Sequence, residues 1–218
     1  MYLRKSFAAL SSVATPLLTI GSRAWAASPT PNPATASPFM SGQPLAPWVL
    51  VFGFTLLVQA RWLMDPGRMS KKATGTVAAV GGTVVLVNGY LIMNNPSILG
   101  GLAPASNFIT AFTVVYGFFF TALGFIQMQT LLNSNVLGPL ATLIAFFTLA
   151  AALVFFSAGA LYHALILAMV FIAFGLAGLV MAGKVTFNAL GWWMSITSLM
   201  LVITGFLWSL APFLQGAP

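Results

Sequence analysis

Side chains that could perform chemistry are scarce in this sequence. Among 218 residues there is one histidine, His163, one acidic residue, Asp65, and no cysteine. Hydrolysis by paired carboxylates needs two acids, and a zinc or iron site needs several His, Cys or acidic ligands. A Ser-His-Asp triad would have to bring His163 and Asp65 together, but the topology derived from the charges puts them on opposite sides of a membrane. The sequence therefore predicts no catalytic residue, no metal site, no cofactor and no enzyme activity.

Uncharged polar side chains within long apolar segments are the remaining candidates for a functional site. Gln59, Asn88 and Tyr116 each lie inside such a segment. A buried amide without a hydrogen-bond partner costs on the order of a few kcal/mol. Each amide therefore needs either a partner on a neighbouring helix or a place along a polar pathway, and both interpretations stay open. Gln127 and Gln129, near the end of the segment that holds Tyr116, are interpreted as residues of the membrane interface.

The composition is that of a membrane protein. Hydrophobic residues make up 60% of the chain and charged residues 4%, whereas soluble domains carry about a quarter charged residues. The net charge of +7 does not indicate nucleic-acid binding, because the cations are few and form no patch. Ion-coupled pumps carry ionisable groups within their helices. Here the apolar segments hold no charged residue except Arg61, at the end of the first, which argues against a pump.

The chain begins with a signal-like segment. Arg4 and Lys5 precede a short apolar run, and residues 24–26 (AWA) fit the small-x-small pattern of a cleavage site. Residues 1–26 are interpreted as a signal peptide, with an uncleaved signal anchor as the alternative. Residues 27–47 are rich in Pro, Ser and Ala and carry no charge, which indicates an external linker. Residues 48–218 form the predicted six-helix, channel-like transmembrane domain.

Six continuous apolar segments follow the linker. Each is close to the roughly 20 residues that an α-helix needs to cross the hydrocarbon core, whereas a transmembrane barrel would need short alternating strands. The predicted fold class is an all-α integral membrane protein with six transmembrane helices in a bundle after the signal-like segment. The segments are Trp48–Met64, Ala73–Met93, Asn107–Met128, Val136–Phe156, Tyr162–Met181 and Leu190–Phe213.

The turn between the first two segments orients the domain. It reads RWLMDPGRMSKK, from Arg61 to Lys72, and Lys and Arg are retained on the cytoplasmic side of membranes. Alternation of the segments then places Lys184 on the same side and both ends of the six-helix domain outside. We therefore predict an integral protein of the bacterial inner (plasma) membrane.

Small residues in two segments predict close helix contacts. Glycine and alanine three or four positions apart let two helix backbones approach in a membrane, where packing rather than hydrophobic drive holds helices together. These residues are Gly75, Ala79 and Gly82 in the second segment, and Gly175, Gly178 and Ala182 in the fifth.

Four short motifs follow one another in a recognisable order. Gln59 lies near the end of the first segment, before the basic turn, and Val80-Gly81-Gly82 precedes Asn88 with the spacing VGG-x5-N. The third segment contains VYGFFFT at residues 115–121, and GKVT at residues 183–186 precedes the sixth. In order and spacing these motifs resemble the AmiS/UreI family of urea and short-chain amide channels, over about Trp48–Phe213.

The resemblance implies a ring of identical six-helix protomers. Each protomer of that family has its own narrow pore, lined by aliphatic and aromatic side chains, which passes small uncharged amides. Two differences stand out, because the fifth helix has neither Trp nor an acid and the outer side offers only His163 with no carboxylate. These differences argue against strict urea selectivity and against acid gating.

We therefore predict a passive membrane channel or transporter for small uncharged solutes such as urea or short-chain amides. Gln59, Asn88, Tyr116 and Trp192 are the predicted pathway residues. The expected partners are the lipid bilayer, the neutral solute and identical copies of the chain, with no nucleic acid. The alternative is a non-catalytic structural or accessory subunit of a larger membrane complex, whose partners would be other membrane subunits.

Overall fold

Six α-helices make up most of the described chain, and they confirm the predicted fold class. The computed structural model describes residues 45–97, 99, 106–129, 137–157 and 159–214 and contains no β-strand within them. Each helix is long and apolar enough to cross a membrane, and its ends lie within three residues of the predicted ends. The signal-like segment and nearly all of the linker lie outside the described residues. The helices are α1 (Ala46–Met64), α2 (Lys71–Asn94), α3 (Ser106–Gln129), α4 (Leu137–Ser157), α5 (Leu161–Met181) and α6 (Phe187–Leu214).

Short sequence signals fix the helix ends at the two basic turns. Ser70 precedes α2, and its hydroxyl oxygen accepts a hydrogen bond from the Ala73 N–H at 3.4 Å, as N-cap serines do. After α5, Gly183 adopts a φ of +70°, a left-handed conformation open to glycine without steric cost. The N–H groups of Gly183 and Lys184 both donate to carbonyls of the last turn of α5 at 2.9 Å, which is the Schellman arrangement.

The six helices close into a ring in chain order. Three neighbouring pairs pack closely, namely α2 with α3, α4 with α5, and α1 with α6. The α1–α2, α3–α4 and α5–α6 contacts are sparser, so each close pair is joined to the next by a looser seam. Large apolar side chains such as Phe156, Tyr90 and Trp192 are exposed on the outside of the ring. A lipid bilayer covers such a surface in an integral membrane protein.

Both basic turns lie at the same end of the ring. Lys71 begins α2, Met181 ends α5 and Phe187 begins α6, and all three line one cavity. The same-side placement of Lys184 is therefore confirmed, whereas the side of the membrane that this end faces stays a prediction. We call it the basic end, because it carries the five Lys and Arg residues of the described ranges, which are Arg61, Arg68, Lys71, Lys72 and Lys184.

Glycines let α2 and α3 touch backbone to backbone. A Cβ added at Gly82 would lie 2.6 Å from the Gly117 carbonyl oxygen, and one at Gly75 would lie 2.8 Å from that of Gly124. A Cβ at Gly124 would in turn meet the backbone of Ala79. The predicted close-contact face of the second segment is therefore confirmed, and its partner is α3.

The predicted small-residue face of α5 is only partly right. Gly178 packs against α4, since a Cβ there would meet the Thr142 hydroxyl. Gly175 has open space instead, with no atom within 4 Å of an added Cβ, and Ala182 lies in the exposed turn beyond the end of α5. The prediction was wrong for Gly175 and Ala182, because spacing alone tells neither which neighbour a position meets nor where the helix ends.

We expect Gly82→Ala to lower the thermal unfolding midpoint of the detergent-purified protein. The added methyl group must push α2 away from α3, and overpacking of this kind costs about 1–3 kcal/mol. Gly175→Ala is the matched control, because it places the same methyl group in open space on a helix and should leave the midpoint equal or higher. A Gly82→Ala midpoint equal to that of the unmodified protein would contradict the backbone contact.

Candidate functional site

Two cavities lie end to end along the centre of the ring. Helices α1, α3 and α5 each contribute side chains at helical spacing to both cavities. The two cavities therefore follow one another along the same faces of these three helices. The large cavity, of about 420 Å³, lies toward the basic end, and its walls include Leu56, Gln59, Phe120, Gln127, Phe174 and Met194. The small cavity, of about 80 Å³, lies toward the opposite end, and its walls include Trp48, Phe52, Tyr116, His163, Val170 and Trp208.

Four buried aromatic rings stand between the two cavities. Phe52 and Tyr116 line the small cavity, and Phe120 and Phe174 line the large one. The ring centroids are 5.2 Å apart for Phe52 and Tyr116 and 5.4 Å apart for Phe52 and Phe120. The Tyr116 and Phe174 centroids are also 5.4 Å apart. These are tilted or edge-on contacts of the kind that aromatic pairs favour. We call the four residues the aromatic plug.

A reciprocal pair of amides lines the large cavity. Gln127 Nε2 donates to Gln59 Oε1 at 2.8 Å, and Gln59 Nε2 donates to Gln127 Oε1 at 3.2 Å. Gln59 Nε2 also donates to the Thr74 carbonyl at 3.2 Å, so the pair links α1 to both α2 and α3. The interpretation of Gln127 as an interfacial residue was wrong, because its position near a helix end does not reveal that it faces α1 and is buried.

Tyr116 joins the aromatic plug to the α3–α4 seam. Its hydroxyl shares a hydrogen bond of 2.5 Å with the Thr148 hydroxyl, and Thr148 Oγ1 donates to the Ile144 carbonyl at 2.7 Å. Because a threonine hydroxyl has a single proton to donate, Tyr116 must be the donor to Thr148. The phenol is therefore held by α4 while its ring faces the centre of the bundle.

The small cavity has an aromatic wall that the sequence analysis did not assign to the site. The His163 imidazole lies between the Phe155 ring, with centroids 5.5 Å apart and planes at 16°, and the Trp208 ring, at 5.5 Å and 27°. Trp48 stacks on Phe52 of the plug at 5.8 Å. A usable signal was the predicted topology, which puts Trp48, His163 and Trp208 at the same end of three different helices.

The four predicted pathway residues fall in different places. Gln59 lines the large cavity, and Tyr116 lines the small one as part of the plug. Asn88 is half-buried on α2 and lines neither cavity. Trp192 is 66% exposed on the outside of α6 and also lines neither. Gln59 and Tyr116 thus belong to different cavities, and a pathway role for Asn88 and Trp192 stays a prediction.

The arrangement of helices is similar to that of a solved membrane channel. The structure of the Helicobacter pylori urea channel in its closed state aligns with a TM-score of 0.61 and 15% sequence identity, over 78% of this chain and 98% of that chain. The chain shares the fold of that protein. At this identity the similarity establishes the fold alone, and it agrees with the fold that the AmiS/UreI resemblance implied. No protein-family model matches the sequence, and a comparison with curated proteins finds no match.

We expect Gln127→Leu to destabilise the protein by about 1–3 kcal/mol, because it leaves the buried Gln59 amide with an unpaired group. The double variant Gln59→Leu/Gln127→Leu should lose less stability than the sum of the two single variants, since neither amide is then left alone. Thermal unfolding midpoints of the four proteins in one detergent measure this coupling. Strictly additive losses would contradict a functional amide pair.

Proposed function

We propose that this chain is a passive channel for small uncharged solutes such as urea or short-chain amides. One observation supports this above all others: two cavities lie in line along the centre of a six-helix ring. Apart from Lys71 at the basic end, the side chains that line them carry no formal charge. Cavities in line through the bundle, with almost no charge on their walls, are what a neutral solute needs in order to cross the hydrocarbon core once the plug between them opens.

Charge at the cavity walls would decide which solutes are excluded. An ion entering the centre of the ring would lose its hydration and meet no opposite charge, which is very costly in an apolar medium. A neutral molecule loses only hydrogen bonds to water, and a few polar groups along the wall can replace them. The proposed selectivity is therefore for small size and absence of charge.

The amide pair supplies the polar groups of the large cavity. Gln59 and Gln127 carry both N–H donors and carbonyl acceptors, which are the groups that urea and carboxamides also carry. Each primary amide has two N–H groups and two carbonyl lone pairs, so the reciprocal pair does not use all of its hydrogen-bonding capacity. A solute amide can bond to the remaining groups without breaking the pair.

The aromatic plug acts as the gate of the proposed channel. Its four rings fill the centre between the cavities, and the similar solved structure is also described as closed. Conduction would require rotation of one or more of these rings about their side-chain torsions. Such movements need no change in the packing of the helix pairs around the ring.

The orientation and assembly belong to the same proposal. The basic end faces the cytoplasm of a bacterial inner membrane, because Lys and Arg are retained on that side, and both ends of the six-helix domain lie outside. The protomers form a homo-oligomer in which each has its own pathway, as the AmiS/UreI resemblance implies. Exposed large apolar side chains on the outside of the ring, such as Phe156 and Trp192, are available for protomer contacts.

We expect liposomes that contain the purified protein to swell faster in urea or acetamide gradients than protein-free liposomes. The transport should be insensitive to a proton or sodium gradient, because neither cavity is lined by a carboxylate that could bind a coupling ion. Light scattering after rapid mixing measures both permeabilities. Permeabilities no higher than those of empty liposomes, for the unmodified protein and for an opened variant of the plug, would favour the structural-subunit alternative.

Phe120→Ala is that opened variant. It removes a ring that separates the two cavities, so we expect the urea permeability per protein to rise several-fold. Phe118→Ala is the matched control, because Phe118 lies on the same helix but is 59% exposed on the outside, and it should leave the permeability unchanged. A folded Phe120→Ala protein with unchanged permeability would show that the aromatic plug is not the gate.

A further inference from the structure

The large cavity changes in character along its length. Lys71 and Phe187 are the first residues of α2 and α6, and both line the cavity and are exposed, so the cavity opens to the surface at the basic end. Its other end is bounded by Phe120 and Phe174 of the aromatic plug. The cavity therefore has one charged, open end and one apolar end in the centre of the ring.

The positive charge of Lys71 at the open end has no counter-charge among the side chains of this protein. The sequence contains one acidic residue, Asp65, and its Oδ2 atom lies 3.0 Å from Nε of Arg68. No second carboxylate side chain exists with which Lys71 could pair. The other cations of the basic end add to the positive potential around the opening, and such a potential attracts anions.

One hydrogen-bond donor in the wall of the cavity is also unused. Gln59 Nε2 donates to both the Thr74 carbonyl and Gln127 Oε1, whereas Gln127 Nε2 donates only to Gln59 Oε1 within the described ranges. One of the two N–H groups of Gln127 is therefore left over. Gln127 packs against Gly75, since a Cβ added there would lie 2.7 Å from the Gln127 Cβ, and Gly75 is one helical turn from Lys71. An ammonium group and an N–H group this close to one opening favour an anionic oxygen.

The deep part of the cavity is suited to a hydrocarbon chain. Five helices contribute apolar side chains to it, among them Leu56, Leu123, Ala141, Ala173 and Met194. Each CH₂ group that leaves water for such surroundings strengthens binding by about fourfold. The volume of about 420 Å³ equals that of about fourteen water molecules at roughly 30 Å³ each, which is room for a chain of about ten heavy atoms.

We propose that the large cavity binds a medium-chain fatty acid, with the carboxylate beside Lys71 and Gln127 and the alkyl chain directed toward the aromatic plug. A chain of about eight to ten carbons fits the volume. The unpaired charge, the unused N–H group and the apolar depth each match one part of this ligand. The site does not depend on the proposed channel function. In a conducting protein, the bound fatty acid would block the pathway from the basic end.

Isothermal titration calorimetry of the full-length protein in nanodiscs of zwitterionic lipid tests the site without measuring transport. Empty nanodiscs of the same lipid are titrated in parallel, and their heat, which reports partition into the bilayer, is subtracted. Decanoate should bind saturably, with one molecule for each protomer. Decanol has the same chain length without the charge, and it should bind about tenfold more weakly, because it lacks the charge-assisted hydrogen bond.

Three variants test the two ends of the site. Lys71→Gln should weaken decanoate binding about tenfold and leave decanol binding unchanged. Lys72→Gln is the matched control, because Lys72 is the adjacent exposed cation but lines neither cavity, and salt screening should limit its effect to about twofold. Ala173→Leu fills part of the deep end and should weaken decanoate more than hexanoate, whose shorter chain ends nearer the opening. Thermal unfolding midpoints check that each variant is folded.

Three outcomes would overturn the proposed site. The first is no saturable heat beyond that of empty nanodiscs. The second is an equal loss of affinity for Lys71→Gln and Lys72→Gln, because this reports a general attraction of anions to the basic end. The third is a folded Ala173→Leu protein with unchanged decanoate affinity, because the ligand then lies outside the cavity.

The liposome assay separates this site from the channel function. Urea transport by a protein that binds no decanoate would reject the fatty-acid site and leave the channel function standing. Saturable decanoate binding that depends on Lys71 and Ala173, in a protein that transports no urea, would support the site and reject the channel function.

Discussion

Hydrocarbon offers no hydrogen bonds to a polar group, and this constraint governs how the ring of helices is held together. The three close helix pairs rely on small residues, as the α2–α3 contact at Gly82 does. The three looser seams each carry hydrogen bonds from side chains that would otherwise be unsatisfied. Those bonds are Gln59 to the Thr74 carbonyl across α1–α2, Tyr116 to Thr148 across α3–α4, and both Tyr162 with Thr204 and Trp193 to the Met169 carbonyl across α5–α6.

Because small-residue contacts and hydrogen bonds between neighbouring helices hold the ring together, its centre can stay hollow. A soluble bundle would collapse on its apolar centre, since burial of apolar surface is its main driving force. Lipid removes that drive between helices, so the α1, α3 and α5 stripes need not interdigitate fully. The contacts around the perimeter hold the helices in place, and cavities of about 420 Å³ and 80 Å³ remain. The weak hydrophobic drive between helices in lipid therefore leaves space in the centre of the ring that a small solute could occupy.

Local patterns in the sequence predicted the helices, because twenty apolar residues in a row have few other structures open to them. They also predicted the glycine face of α2, and for Gln59 they left open a helix-to-helix partner and a place on a polar pathway. They did not predict that Gln59 pairs with Gln127, which lies 68 positions further along the chain, since no local period encodes such a pairing. Trp48, His163 and Trp208 were missed for the same reason. Each is unremarkable on its own helix, and only the closed ring brings them around one cavity.

The two kinds of contact in the centre also differ in how easily they can change. An aromatic pair contributes about 0.5–1.5 kcal/mol beyond its buried area, and one ring can exchange such a contact for another by turning about its own torsions. A buried amide or phenol that loses its partner is left unsatisfied, at a cost of about 1–3 kcal/mol for each group. The plug residue Tyr116 combines both, because its hydroxyl is tied to Thr148 while its ring packs against Phe52 and Phe174. It follows that Phe52, Phe120 and Phe174, which form no such hydrogen bond, are the rings of the plug that can turn most easily, whereas Tyr116 is held in place by Thr148.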